Sequence, residues 1–268
     1  MQTLITGFRA IIIPVTALLL TGCMTAATAP VVTAPVPPTT IAAVGVLSPA
    51  IPYPKGYLDP KMLPNSLALL PPPPAAGSAA KAADEEAYQA GLAAPADRQA
   101  LAASDADLGW PQAILSFETI AGTSLSDRSK PHTEMLLRRA LADAGTSTSL
   151  AKHHYQRVRP FVEHGVGTCR PADEASLRQD GSYPSGHTAI GWMLALVLTD
   201  LMPAKADALL QRGYDFGESR VVCRAHWMSD TVSGRTIGAA TYARLQSDPV
   251  FKAQRELARA ELAKVVAP

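Results

Sequence analysis

The chain has 268 residues, 47% hydrophobic and 18% charged, so it can bury a sizeable core in one large domain or two small ones. Its 24 basic and 23 acidic side chains leave a formal charge of +1. That balance excludes a nucleic-acid binder that works by bulk charge, and any basic site must be local.

The first element reads as a targeting segment. Arg9 precedes an apolar run over 10–20, too short to span a bilayer but suited to a signal peptide. It ends in Leu20-Thr21-Gly22-Cys23, which resembles a bacterial lipobox, in which the cysteine becomes the lipidated first residue. Met24, rather than Asp, follows it, which by the same resemblance points to the outer membrane. The expectation is a signal peptide over 1–22 and a periplasmic protein whose membrane contact is the lipid on Cys23. Residues 23–69 then read as a Pro/Ala-rich tether. Thirteen of the 23 prolines fall between 24 and 74, and the only charges there are Lys55, Asp59 and Lys61. Proline at that density favours extended backbone over helix and sheet. Leu70-Pro71-Pro72-Pro73-Pro74 marks the start of a folded domain over 70–268.

From about residue 78 the texture is helical: Ala and Leu abound and the breaks fall at Gly or Pro. Expected helices are Ala79–Leu92, Ala96–Asp105, Pro111–Ala121, Pro131–Ala144 and Ser147–Val158, then His187–Leu201, Lys205–Phe216, His226–Leu245 and Val250–Val265. Pro111 and Pro131 suit first turns. Met135, Leu136, Ala140 and Leu141 form one apolar stripe. The fold class is all-α, a single helical domain. Cys169 and Cys223, in an exported chain, read as a disulfide; two buried free thiols are the alternative.

Three clusters carry chemistry. In Lys152-His153-His154-Tyr155-Gln156-Arg157-Val158-Arg159-Pro160, Lys152 and Arg159 are seven apart, which puts both on one face of a helix. Gly181-Ser182-Tyr183-Pro184-Ser185-Gly186-His187-Thr188 offers a hydroxyl, a bare backbone and an imidazole at a helix start, where unpaired N–H groups favour an anion. In Ser219-Arg220-Val221-Val222-Cys223-Arg224-Ala225-His226-Trp227-Met228-Ser229-Asp230, His226 and Asp230 are spaced so that a helix sets the carboxylate beside the imidazole. Arg220 and His226 are about 120° apart on an ideal helix, so a break is expected near Val221–Ala225 if both serve one site. His132, His153, His154 and His164 read as structural or surface residues, and Tyr183 as near enough to line the site.

Together the clusters spell Lys-x6-Arg-Pro, Pro-Ser-Gly-His and Ser-Arg-x5-His-x3-Asp. This resembles the signature of the type-2 phosphatidic acid phosphatase and vanadium haloperoxidase superfamily. GSYPSGHTAIG at 181–191, Thr168-Cys169-Arg170-Pro171 and Cys223-Arg224-Ala225-His226-Trp227 are similar to the bacterial class A non-specific acid phosphatases, and the likeness covers most of 70–260. The resemblance implies phosphomonoester hydrolysis without a metal or other cofactor, an acidic optimum, inhibition by phosphate and vanadate, and often an oligomer. It implies that Lys152, Arg159, Arg220, Ser185 and the backbone of Gly186 hold phosphate. His226 is then the nucleophile, Asp230 orients it, and His187 is the general acid and base. Two other readings remain on the sequence: a vanadate-dependent haloperoxidase on the same scaffold, and a non-catalytic phosphate-binding envelope lipoprotein.

Overall fold

The computed structural model describes residues 36–266 apart from Ala50; the expected signal peptide and Cys23 lie outside the described residues. A short helix α1 (Ile41–Val44) leads into an antiparallel hairpin of β1 (Val46–Ser48) and β2 (Ile51–Pro54), then α2 (Ser66–Leu69). The helical body follows: α3 (Ala79–Leu92), α4 (Ala96–Asp105), α5 (Gln112–Ala121), α6 (Pro131–Ser147) and α7 (Ser149–Tyr155). After the short turns α8 (Pro160–Glu163) and α9 (Glu174–Leu177) come α10 (Gly186–Leu201), α11 (Ala206–Val222), α12 (Met228–Leu245) and α13 (Pro249–Val266). The domain is all-α, with one two-stranded hairpin as its only sheet among the described residues.

Helix α10 is the axis. Ala189, Met193, Leu194, Ala195, Val197 and Leu198 are all fully buried, so it is apolar around most of its circumference. Such a helix has to be covered on all sides, and α6, α11 and α12 surround it. The stripe on α6 faces this core, with Met135, Leu136, Ala140 and Leu141 buried. Where α12 crosses α10, a Cβ on Gly234 would stand 2.5 Å from the Ser185 carbonyl oxygen, so only glycine permits that approach. The crossing sets the N-terminus of α10 against the first turns of α12, the two elements that carry most of the site.

The expected tether over 23–69 is corrected for its second half, which packs on the helical body. Arg139 of α6 donates from Nε to the Lys55 carbonyl (3.1 Å) and from Nη2 to the Gly56 carbonyl (2.8 Å). The Asp143 carboxylate accepts from the Tyr57 and Leu58 backbone N–H groups at 2.8 and 3.3 Å. The Tyr57 ring lies under the Arg139 guanidinium and edge-on to Phe251, and Ser66 Oγ accepts from Ala151 N. The strap's own backbone bonds are confined to short turns, such as Met62 N to Asp59 O and Leu69 N to Asn65 O, which leaves the groups at 55–58 for α6 side chains.

Burial raises the Asp143 carboxyl to about 7, against the opposing pull of the two N–H groups and the Arg139 charge. The folded protein therefore keeps a proton between its ordinary value and about pH 7 that the unfolded chain has lost, and stability falls as pH rises through that window. Melting temperatures from pH 4 to 7 should fall more steeply for the wild type than for Asp143→Asn; parallel curves would remove Asp143 as the source.

Candidate active site

The first correction concerns the Lys152 helix. Helix α7 ends at Tyr155, Gln156 takes a left-handed conformation (φ 44°), and Arg159 follows in extended backbone. Lys152 and Arg159 therefore share no helix face. They meet because the chain doubles back and both reach the segment before α10. Lys152 Nζ donates to Gly181 O (2.7 Å) and Asp180 Oδ2 (3.0 Å). Arg159 Nη2 donates to the same Asp180 oxygen at 3.1 Å, and Nε to Leu177 O and Asp180 O. Asp180 was not singled out from the sequence; its one signal was its place directly before the glycine stretch. Gly181 is required there, since a Cβ would lie 2.8 Å from Lys152 O.

Ser185 is the N-cap of α10. Its Oγ accepts from Thr188 N (3.3 Å) and Thr188 Oγ1 (2.9 Å), which leaves its own proton free to donate. Ser185 N donates to Asp230 O, tying this helix start to α12. Gly186 and His187 open the helix, where backbone N–H groups have no partner within the helix. His187 Nε2 donates to the Ala106 carbonyl (3.1 Å), so Nδ1 is the nitrogen left for proton transfer.

The expected break is present: α11 stops at Val222, Arg224 is left-handed (φ 63°), and α12 starts at Met228. The Ala225 and His226 N–H groups both fold back onto Arg220 O. His226 thus precedes α12 instead of starting it, which corrects the expected helix His226–Leu245. Asp230 sits in the first turn, where its Oδ2 caps Trp227 N at 2.9 Å and lies 3.4 Å from His226 Nδ1, close enough for charge attraction though poorly aligned for a hydrogen bond. On the other side of the ring, Arg159 Nη1 stands 3.0 Å from His226 Nε2. A guanidinium can only donate, so Nε2 carries the lone pair and Nδ1 the hydrogen, the tautomer a nucleophile needs.

Lys152, Arg159, Gly186, His187 and His226 line one cavity of about 280 Å³. Ser185, Arg220 and Asp230 are buried just outside its lining. Arg220 is 1% exposed, and its Nε and Nη1 have no hydrogen-bond partner among the described residues. The neighbouring Ser219 is no ligand: its Oγ donates to the buried Asp105 carboxylate (2.6 Å), which also holds Arg212, and so it anchors α11. Cys169 and Cys223 form the expected disulfide, which ties the chain before this cavity to the turn that carries His226.

The PAP2 superfamily model matches residues 134–248. A non-specific acid phosphatase of Salmonella typhimurium is 44% identical over 67% of this chain and 72% of its own length. One from Providencia stuartii is 39% identical over 78% of this chain and 85% of its own. An acid phosphatase of Zymomonas mobilis is 42% identical over 62% and 63%. The chain belongs to the bacterial class A non-specific acid phosphatases.

In this class A phosphatase the site has more positive than negative charge. Burial, then the Arg159 charge, lowers the Lys152 ammonium to about 8, with Asp180 opposing. Burial and Arg159 likewise lower Arg220 to about 9. Burial pushes both imidazoles well below the usual histidine range, helped by Arg159, Lys152 and Arg220 at His226 and by Arg220 at His187. Each shift has the direction that a bound anion would reverse.

One further position is corrected and one is extended. Tyr183 does not line the cavity; its hydroxyl donates to Pro71 O (2.6 Å) and accepts from Ser233 Oγ, pinning the proline run to the core. His153, read as a structural or surface residue, is exposed at the surface and also lines the cavity. Sequence reasoning also missed Arg157. It donates to Asp230 Oδ1 (2.6 Å), Asp84 Oδ2 (2.6 Å) and Ser229 Oγ (2.7 Å), and so fixes the carboxylate behind His226. Its signal was an arginine in the same cluster as Arg159, seventy-odd residues from Asp230.

Proposed function

We propose that this acid phosphatase hydrolyses a broad range of phosphomonoesters, without a metal, through a phosphohistidine at His226. The observation that carries the reading is the buried Arg220 guanidinium, without a hydrogen-bond partner for Nε and Nη1 among the described residues, near a histidine whose Nε2 lone pair faces Arg159 in the cavity that Lys152 also lines. Three cations around one lone pair ask for a tetrahedral anion.

Lys152, Arg159 and Arg220, with the Ser185 hydroxyl and the Gly186 N–H, hold the phosphoryl oxygens. His226 Nε2 attacks phosphorus in line; the P–N bond forms as the P–O ester bond breaks. The Nδ1 proton faces Asp230, which stabilises the cationic ring. His187, protonated at Nδ1, gives that proton to the leaving alkoxide. The bound dianion favours the charged imidazole against the burial that disfavours it. His187 then takes a proton from water, whose oxygen displaces the histidine and releases phosphate. Charge stabilisation by fixed cations supplies what phosphoryl transfer needs most.

A pulse with a radiolabelled phosphomonoester in excess EDTA, quenched in base, tests both roles. The wild type should carry an acid-labile label, His226→Ala none, and His187→Ala a label that decays slowly. Normal labelling of His226→Ala would refute the mechanism. We further propose that the enzyme is exported to the periplasm and lipid-anchored at Cys23, that phosphate and vanadate compete with substrate, and that it assembles as a homo-oligomer. The disulfide supports the oxidising compartment. Globomycin-sensitive processing of the full chain checks the anchor, and an unprocessed Cys23→Ser protein is the expected counterpart.

A further inference from the structure

We propose that a second, apolar cavity beside the phosphate site receives the leaving group, and that the N-terminal hairpin makes compact aromatic esters the preferred ones among the phosphomonoesters the enzyme accepts. This rests on the phosphatase reading above. The second cavity has a volume of about 250 Å³ and shares Leu108, Gly145, Ser149 and Ile190 with the phosphate cavity, so the two are adjacent. Its outer wall is Leu47, Ile51 and Tyr53 of the hairpin.

The chemistry of the two cavities differs. The first presents Lys152, Arg159 and Asp180. The second has no charged residue in its lining. Its polar side chains are Tyr53, Thr146 and Ser149, and the rest of the lining is aliphatic or glycine. A second phosphate would lose water there without meeting a cation, whereas an aromatic ring would bury apolar surface. A compact ring also suits a cavity of this size, which a long alkyl chain would outrun.

Position relates this cavity to the reaction. The segment 106–110 makes both connections. Its Ala106 carbonyl holds His187 Nε2, and its Leu108 carbonyl accepts from the Tyr53 hydroxyl at 2.5 Å. One loop therefore registers the general acid and the apolar wall. The leaving oxygen must lie against His187, and the group attached to it is directed past Leu108 and Ile190 into the second cavity. Leu47 and Ile51 are 37% and 48% exposed, although each lines this cavity. A ring seated between the hairpin and α6 would cover them.

The test compares kcat/KM for 1-naphthyl phosphate and glycerol 2-phosphate in the wild type and in the double variant Leu47→Ser, Ile51→Ser. Both positions are partly exposed, so the fold should survive, and an unchanged Ki for inorganic phosphate checks the phosphate cavity. We expect a loss of about tenfold for the naphthyl ester, the size of a modest apolar contact, with glycerol phosphate within about twofold of the wild type. Equal losses for both esters, or no loss, would overturn the subsite while leaving the phosphatase reading intact. A better rate for a long-chain alkyl phosphate than for the naphthyl ester would overturn the choice of a compact ring. A wild type that releases phosphate from neither ester overturns both readings.

Discussion

Arg220→Met will slow phosphate release by about 10³-fold and will raise the melting temperature of the protein measured without phosphate. The two effects have one origin. Arg220 is 1% exposed, two of its guanidinium nitrogens have no partner among the described residues, and burial has lowered its proton affinity to about 9. A buried charge without a partner costs folding energy, and methionine of similar length removes it while filling the space. The same unpaired fork is what a transferring phosphoryl group would meet, with no reorganisation at the moment of reaction. Phosphate should stabilise the wild type far more than the variant, because the ligand binds where the charge was. The measurements are steady-state rates and thermal denaturation with and without phosphate. A variant that melts well below the wild type in the absence of phosphate would show that Arg220 is a structural cation.

Arg157→Met should have the opposite effect on the fold, a loss of about 3–5 kcal/mol. This arginine bridges two carboxylates, Asp84 and Asp230, each with no solvent exposure. Its removal leaves two buried negative groups without their shared counter-ion. Burial already pushes the Asp230 carboxyl up, and Arg157 is the largest influence holding it down. Without it Asp230 should take up a proton and lose its pull on the His226 Nδ1 hydrogen. A carboxyl raised in the folded state destabilises more as pH rises, so the deficit of the variant should be larger at pH 7 than at pH 4. Urea denaturation at the two pH values measures it. A deficit below about 1 kcal/mol, or one independent of pH, would contradict the bridging role. Two buried arginines some sixty residues apart thus have opposite stability effects, because one is satisfied by the protein and the other is not.

The sequence was most legible where local rules decide the structure. Helices α3 and α4 run over the expected residues, since Ser78 caps the first and Pro95 starts the second. The break before His226 was legible because two side chains six apart on a helix cannot aim at one point. Errors fell where distant contacts override the local pattern. Composition continued α7 to Val158, but Gln156 turns left-handed and sends Arg159 back to Asp180 and Gly181. The helix expected from His226 starts two residues later because Arg220 O draws the Ala225 and His226 N–H groups into a turn. Asp180, Arg157 and Asp84 have roles that exist only once segments far apart in the chain have met, and no spacing rule shows that. The strap over 55–69 was missed for a related reason: its partners, Arg139 and Asp143, lie more than eighty residues on.

The disulfide also changes what a protease could do to this molecule. Cys169 and Cys223 are 54 residues apart, and the segment between them contains the exposed turn around Arg178 as well as α10 and α11. A single cut at Arg178 would place Lys152 and Arg159 on one fragment, and Ser185, His187, Arg220 and His226 on the other. The bridge joins Cys169 of the first fragment to Cys223 of the second, so the nicked molecule remains one covalent particle. Every group of the cavity would stay tethered to its neighbours until a reductant separated the halves. Cleavage at this loop would therefore leave the two half-sites together instead of dividing them.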